Sequence, residues 1–280
     1  MTTGTQPTVT QPTVTQPTVS QPTVTQPTVD QHDAEQTFDR LVREGEQRLG
    51  RSLLGQVATG LLGGLDVGTG VLALLLVEHE THDRLLAGIA FSIGFIALSL
   101  ARSELFTENF LVPVTTVVAK RGTVGSLLRL WLISLVTNLT GGWVITGLVM
   151  TGFPQLRATA REAASFYIGL GVSPKALALA LIGGFVITLM THMQHSTESD
   201  GLKLVPSVVM GFLLGAGKLN HAIVASLICF AALHTGATFG YADWLGLLGF
   251  AIVGNLVGGL GLVTVLRLLQ VPNKVVQERA

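Results

Sequence analysis

The sequence is poor in charge. Only 12% of its 280 residues are Asp, Glu, Lys or Arg, whereas 48% are hydrophobic, and the mean hydropathy is +0.57. An average soluble domain carries about 25% charged residues, so this composition predicts an integral membrane protein. Its 17 basic residues balance its 17 acidic residues. The net charge therefore gives no indication that nucleic acid is a partner.

Cysteine is almost absent, and the common catalytic motifs are missing. The single cysteine, Cys229, excludes an internal disulfide. The sequence contains no G-x-S-x-G, no H-E-x-x-H and no phosphate-binding loop, so nothing supports an intramembrane hydrolase or a nucleotide-driven pump. His192 and His195 have helical spacing but lack further ligands nearby. We therefore expect no metal, no cofactor and no enzymatic activity.

The first part of the sequence is a low-complexity repeat. Residues 5–29 are five copies of [TS]QPTV, and a proline at every fifth position forbids a helix. We predict a disordered tail over residues 1–30. Residues 31–52 then restore a helical period, which predicts an amphipathic helix lying on the membrane surface. Its apolar side carries Phe38, Leu41, Val42 and Leu49.

The remainder consists of apolar segments long enough to cross a bilayer, which needs about 20 residues each. We predict a channel domain over 53–270, followed by a cytoplasmic tail over 271–280. Its six spans cover residues 53–78, 85–119, 126–152, 174–193, 204–236 and 243–268.

Two of these spans are too long to be continuous helices. The second and the fifth would each measure roughly 50 Å, against a hydrocarbon core of about 30 Å. Polar or glycine residues interrupt both, at Arg102–Asn109 in the second and at Gly215–Asn220 in the fifth. We therefore predict that the second and fifth transmembrane helices are broken near their middle.

The chain also repeats a motif, which predicts its topology. Asn138–Gly142 and Asn255–Gly259 both read NLxGG, in the third and sixth spans. Each half of the chain then has three spans. Because three is odd, the second half starts from the opposite side of the membrane and is inverted relative to the first. This is the inverted-repeat arrangement of many transporters. An excess of Lys and Arg at one side of the spans predicts that both termini are cytoplasmic.

Several ionisable residues fall near mid-span, where a charge costs roughly 2.5–3.5 kcal/mol on insertion scales. They are Asp66, Arg102, Glu104, Glu108, Lys218 and His221. Either they form ion pairs that hold the broken helices together, or they line a transport path. His221 follows Asn220 at the second break, where an imidazole can give a proton to an anion or simply donate a hydrogen bond.

Taken together, these residues resemble one known family. The motif Phe91–Phe95 is followed after nine residues by Leu105–Thr107, and the Asn220–His221 pair opens the second half of the fifth span. With the two NLxGG motifs, this order resembles the formate/nitrite transporter family, in a divergent branch, over residues 35–270.

The resemblance implies a homopentamer of aquaporin-like protomers in a bacterial-type inner membrane, each passing small monovalent anions or their weak acids. By position, Phe91, Phe95, Leu105 and Leu214 would form apolar constrictions. Thr107 would be the hydroxyl of the first break and His221 the central histidine, with Phe106 also on the path. Thr188 stands where formate-transporting members usually carry asparagine.

Two alternatives remain open. One is a pore for a small neutral solute, although neither break contains the Asn-Pro-Ala motif of water channels. The other is a non-conducting scaffold or sensor, in which Arg102 and Lys218 lock the pore through ion pairs. Their partners would be Glu104, Glu108 or Asp66.

Overall fold

The computed structural model describes residues 1, 2, 4 and 29–279. Every regular element in this part of the chain is helical, and none of these residues lies in a β-strand, so the all-α prediction is confirmed. Residues 5–28, which carry the repeats, lie outside the described residues. The predicted disorder of the tail therefore stays a prediction.

The first helix, α1, covers Val29–Gly50. Its four predicted apolar residues are all buried, at 3–7% exposure, but they pack on the protein itself. Phe38 and Val42 contact Ala119 and Val271, and Leu49 packs with Leu127 and Leu130. This apolar face therefore packs on protein and not on lipid, and the position of the helix at the membrane surface stays a prediction.

Five helical segments are long and apolar enough to cross a bilayer. They are α2 (Leu53–Thr81), α3 (Arg84–Ala101), α5 (Val124–Gly152), α7 (Pro174–His195) and the continuous stretch Tyr241–Gln270. This last stretch comprises α10 (Tyr241–Leu256), a π-helical segment (Val257–Val265) and α11 (Leu266–Leu269). The chain is thus a multi-pass membrane protein.

Polar side chains at the ends define where these helices begin. Ser52, Asp83 and Ser173 each accept hydrogen bonds from backbone N–H groups in the first turn of the helix that follows. The Thr123 hydroxyl does the same for α5, and Ser126 reciprocates in a capping box. These bonds satisfy donors that an α-helix leaves unpaired at its start.

Both predicted breaks are present. After α3, a 3₁₀ turn at Phe106–Phe110 leads into the short α4 (Val112–Val118). The fifth span divides into α8 (Asp200–Ala216) and α9 (Ala222–Leu233). Neither half of the fifth span is long enough to cross alone. That the second half of the chain is inverted in the membrane stays a prediction.

Two helices were not predicted. The segment α6 (Arg157–Gly169) lies between α5 and α7 and buries Ala160, Ala164 and Tyr167 against the core. The short α12 (Pro272–Arg279) forms in the predicted C-terminal tail. Both segments are too polar or too short to give a membrane-span signal.

The asparagine of the first NLxGG motif closes the first break. The Asn138 side-chain oxygen accepts a hydrogen bond from Phe106 N at 2.7 Å. Its Nδ2 donates to Glu104 O at 2.8 Å and to Gly60 O in α2 at 2.7 Å. One side chain thus satisfies two backbone groups of the break and ties both to a neighbouring helix.

The second motif repeats this contact. Asn255 accepts from Ala222 N at 2.8 Å, and its Nδ2 donates to Asn220 O at 2.9 Å and to Ala180 O in α7 at 2.8 Å. We call these two sets of bonds the asparagine clamps. Each clamp holds the residues on either side of a single residue, which is Leu105 in the first break and His221 in the second.

We expect Asn138→Ala and Asn255→Ala to be among the most destabilising single changes in the protein. Each leaves two buried backbone groups of the break without a partner, at about 1–3 kcal/mol each, because the third group is a carbonyl inside α2 or α7 that keeps its helical hydrogen bond. The midpoint of thermal unfolding in detergent should fall by about 5–15 °C, given roughly 2–4 °C per kcal/mol. Thr140→Ala, on the exposed side of α5, is the matched control. An Asn138→Ala protein as stable as this control would contradict the clamp.

Candidate functional site

The two breaks meet at the centre of the protein. Thr107 Oγ1 in the first break lies 2.7 Å from His221 Nε2 in the second. Both side chains are fully buried. Residues 114 positions apart are therefore joined at the point where neither span is α-helical.

The other ring nitrogen of His221 indicates which tautomer is present. Val224 N donates to His221 Nδ1 at 3.3 Å, because His221 is the N-cap of α9. A nitrogen that accepts this bond carries no proton, so the neutral ring has its hydrogen on Nε2. His221 therefore donates to the Thr107 oxygen, and the Thr107 hydroxyl hydrogen remains available to another acceptor.

Further polar groups close to this contact are unpaired within the described part of the chain. Both polar atoms of the Asn220 side chain are buried without a hydrogen-bond partner, and so is Thr188 Oγ1. Buried polar atoms normally have a partner, so orphaned ones call for an explanation. Asn220 adjoins His221, whereas Thr188 lies on α7 against Gly259. A small polar ligand at the breaks would supply the missing partners.

The predicted apolar path residues surround this polar centre. Phe91, Phe95, Leu105, Phe106 and Leu214 are at most 2% exposed and belong to one continuous hydrophobic cluster. The rings of Phe91 and Phe95 meet edge to face, with centroids 5.6 Å apart. The site therefore consists of a few hydrogen-bonding groups enclosed by apolar side chains.

The buried carboxylates pair with arginines that the sequence did not single out. Glu104 forms an ion pair with Arg51, and Arg48 lies 4.0 Å from both Glu104 and Glu108. Arg48 also donates to Asn109 Oδ1 at 3.1 Å. Arg48 lies in the last turn of α1 and Arg51 directly follows this helix, so the end of α1 forms part of the site.

A glycine allows α1 to come this close. A Cβ at Gly45 would lie 2.9 Å from Val112 O, so any larger residue would push α1 away from α4. Arg48 follows three residues later and reaches the first break. A contact between a surface-type helix and a mid-span loop has no local sequence signal, which is why it was missed.

The charge of Arg48 also shifts the pKa of Glu44, which lies one turn earlier on α1. Burial alone would raise the pKa of the Glu44 carboxyl, but the Arg48 guanidinium outweighs it and holds this pKa below its usual value. Burial would likewise lower the pKa of Arg48, and Glu104 and the other carboxylates raise it instead. Both groups are therefore charged at neutral pH.

Arg102 and Lys218 do not form the ion pairs that the locked-pore alternative requires. The Arg102 side chain is 84% exposed, and its ion-pair partner is Asp200, at 3.9 Å. The Lys218 ammonium lies over the Phe166 ring of α6, 5.1 Å from its centre. Asp66 accepts instead from the Ser103 hydroxyl at 2.5 Å.

A shared backbone conformation explains why both cations leave the site. Arg102 has φ 54° and Lys218 has φ 46°, and each lies at the end of the first half of a broken span. The left-handed turn directs each chain into its break and each side chain away from the carboxylates. Arg102 and Lys218 are thus turn residues at matching positions.

Comparison with known proteins agrees with this architecture. Residues 35–269 match the family model described as Formate/nitrite transporter. Inner membrane protein YfdC of Escherichia coli (strain K12) is 25% identical over 254 residues, covering 86% of this chain and 80% of that protein. Formate channel BtFdhC of Bacillus thuringiensis is 23% identical over 251 residues, covering 82% and 92% respectively.

Two solved structures share the fold. A pentameric formate channel with formate bound aligns with a TM-score of 0.67 at 22% identity, over 78% of this chain and 96% of that one. An FNT family ion channel aligns with a TM-score of 0.69 at 16% identity, over 82% and 96%.

We expect Arg102→Gly to be more stable than Arg102→Ala. Both variants lose the exposed ion pair with Asp200, but only glycine relieves the left-handed strain, which costs a side chain roughly 1–2 kcal/mol. The added chain entropy of glycine offsets about 0.5–1 kcal/mol of this gain, so the unfolding midpoint of Arg102→Gly should lie about 1–3 °C above that of Arg102→Ala. Equal midpoints for the two variants would contradict the strain argument.

Proposed function

Because the chain belongs to the formate/nitrite transporter family, we propose that it is a transmembrane channel for small monovalent anions or their conjugate weak acids. The observation that carries this proposal is the contact between Thr107 and His221 inside an apolar enclosure. Two hydrogen-bonding groups at the middle of a membrane protein, with unpaired neighbours, suit a ligand of a few atoms.

The apolar enclosure favours a neutral permeant over a bare anion. Moving an ion into hydrocarbon without a partner costs far more than moving a neutral, hydrogen-bonded acid. Rings such as Phe91 and Phe95 would therefore act as constrictions that admit the acid form. Transport then carries one proton with each anion.

The role of His221 in this channel is to donate a hydrogen bond. Its Nδ1 is occupied by Val224 N, and a second ring proton would break that bond and leave a buried charge without a counter-ion. The neutral Nε2–H and the Thr107 hydroxyl instead offer donors to a passing oxyanion or acid. Of the two roles considered for this histidine, the geometry favours hydrogen bonding over proton delivery.

The assembly and its location follow from the family. We propose a homopentamer in the inner membrane of a bacterial-type cell, with one pore in each protomer and both termini in the cytoplasm. The related solved channel is pentameric, and a relative is an inner membrane protein. The excess of basic residues at one side of the spans supports this orientation.

The test is uptake by proteoliposomes containing the full-length protein. We expect uptake of formate or nitrite that rises as the external pH falls, because a larger share of the permeant is then protonated. His221→Ala should lower it by about 2- to 10-fold, since a hydrogen bond to a neutral acid contributes about 0.5–1.5 kcal/mol. Stopped-flow swelling with glycerol checks the neutral-solute alternative.

His234→Ala is the matched control, because His234 bonds to Trp143 O in α5 rather than to either break. This variant should retain the uptake of the unaltered protein. Absence of flux for every small anion would refute the proposed function. Equal losses for the two histidine variants would refute the role given to His221.

A further inference from the structure

A cleft leads from solvent to the first break. It has a volume of about 400 Å³ and lies between α1, the break and the loop joining α7 to α8. Its outer wall carries exposed side chains such as Glu198 and Arg102. Its inner wall carries Leu98, Glu104 and Glu108. Protons from one aqueous side can therefore reach the two buried carboxyl groups.

The cleft contains more negative groups than its innermost cations can pair. Glu44, Glu104 and Glu108 share the guanidinium groups of Arg48 and Arg51. Arg48 makes its short contacts elsewhere, with Glu44 at 2.9 Å and Asn109 at 3.1 Å. Glu104 Oε2 is buried and has no hydrogen-bond partner in the described part of the chain. A proton on one of these carboxyl groups would relieve their mutual repulsion.

Glu108 is the carboxyl group best suited to carry that proton. It is only 3% exposed, and its contact with a cation is the 4.0 Å approach of Arg48. No side chain among the described residues donates a hydrogen bond to it, whereas Arg51 donates to Glu104. Glu108 also directly follows Thr107, which holds His221. It therefore lies between the cleft and the polar centre.

We infer that Glu108 transfers a proton to the permeating anion where the cleft meets the apolar part of the path. The O–H bond of the Glu108 carboxylic acid breaks, and a new O–H bond forms on an oxygen of the anion. The neutral acid then enters the apolar segment, and the Glu108 carboxylate stays beside Arg48. Water in the cleft returns the proton to Glu108. This inference rests on the proposed function.

Other charged groups face the same cleft and set its electrostatics. From α1 these are Arg40, Arg43, Glu44 and Arg48, and directly after it Arg51; from the first break, Arg102 and Glu104; from α7, α8 and their loop, His195, Glu198, Asp200 and Lys203. His195 is the one histidine among them, and its Nδ1 lies 2.8 Å from Thr191 O. Glu104 is held by Arg51, whereas Glu108 receives no side-chain hydrogen bond among the described residues and its cation lies 4.0 Å away.

The experiment compares two isosteric variants of the full-length protein in proteoliposomes. Formate uptake and the accompanying proton entry, read with a trapped pH dye, are measured across a range of pH. We expect Glu108→Gln to lose at least about 10-fold in uptake at neutral pH, as for other general acids. At about pH 4, where formic acid itself is abundant, its uptake should return to within about twofold of the unaltered protein.

Glu198→Gln is the matched control, because it removes an exposed carboxylate from the outer wall of the same cleft without touching Glu108 or its arginine partner. It should keep the pH profile of the unaltered protein. A purely structural role for Glu108 would lower uptake equally at every pH, and that result would overturn the inference. So would a Glu108→Gln protein with an unchanged pH profile.

A replacement variant and two further outcomes separate a failure of the Glu108 role from a failure of the proposed function. If Glu108→Gln does not assemble, Glu108→Asp replaces it, and uptake by that variant should be slower yet still depend on pH; a flat profile would overturn the inference. If the unaltered protein moves no anion, the proposed function itself fails. If it moves formate but Glu108→Gln is indistinguishable from it, only the role of Glu108 fails.

Discussion

The asparagine clamps are the contacts on which the rest of the structure depends. A lipid bilayer offers no hydrogen bonds, so a helix can open at mid-membrane only where protein groups satisfy the freed backbone. Asn138 and Asn255 each do this with one side chain, by accepting from one backbone N–H and donating to two carbonyls. Without them, both breaks would contain unpaired polar groups in an apolar core.

The clamps also require close helix packing. A Cβ at Gly63 would lie 2.9 Å from the carbonyl carbon of Glu104, and one at Gly183 would lie 3.2 Å from Asn220 O. Glycine at both positions lets α2 and α7 approach the breaks closely enough for the amide groups to reach. The two halves of the chain thus solve the same problem with the same residue types.

Much of this arrangement could be predicted from the sequence, because it depends on length and on local motifs. The two overlong apolar segments predicted the breaks, and the NLxGG pair marked the asparagines. The partners of Glu104 and Glu108 could not be predicted in the same way. Arg48 and Arg51 lie on a helix that looks like a surface helix, and they reach the carboxylates only after α1 docks through Gly45.

Arg102 shows a second limit of sequence reasoning. Its position two residues before Glu104 suggested an internal ion pair, but a left-handed backbone at φ 54° turns the side chain into solvent. The direction of a side chain at a helix end depends on the backbone turn there, and in this turn the N–H groups of Arg102 and Ser103 both bond to Leu98 O. The type of a residue and its depth in the span are therefore not enough to show that its charged side chain lines a pore.

The two asparagine clamps hold different residues, so the two breaks differ in their chemistry. In the first half the clamped residue is Leu105, and the polar groups follow it as Thr107 and Glu108. In the second half the clamped residue is His221, followed by apolar residues of α9. A neutral imidazole can remain at the centre because it needs no counter-ion, whereas a carboxyl group needs the arginines of α1. In the proposed channel, groups that change charge are thus kept at the cleft, where water and Arg48 lower the cost of ionisation, and the centre offers hydrogen bonds alone.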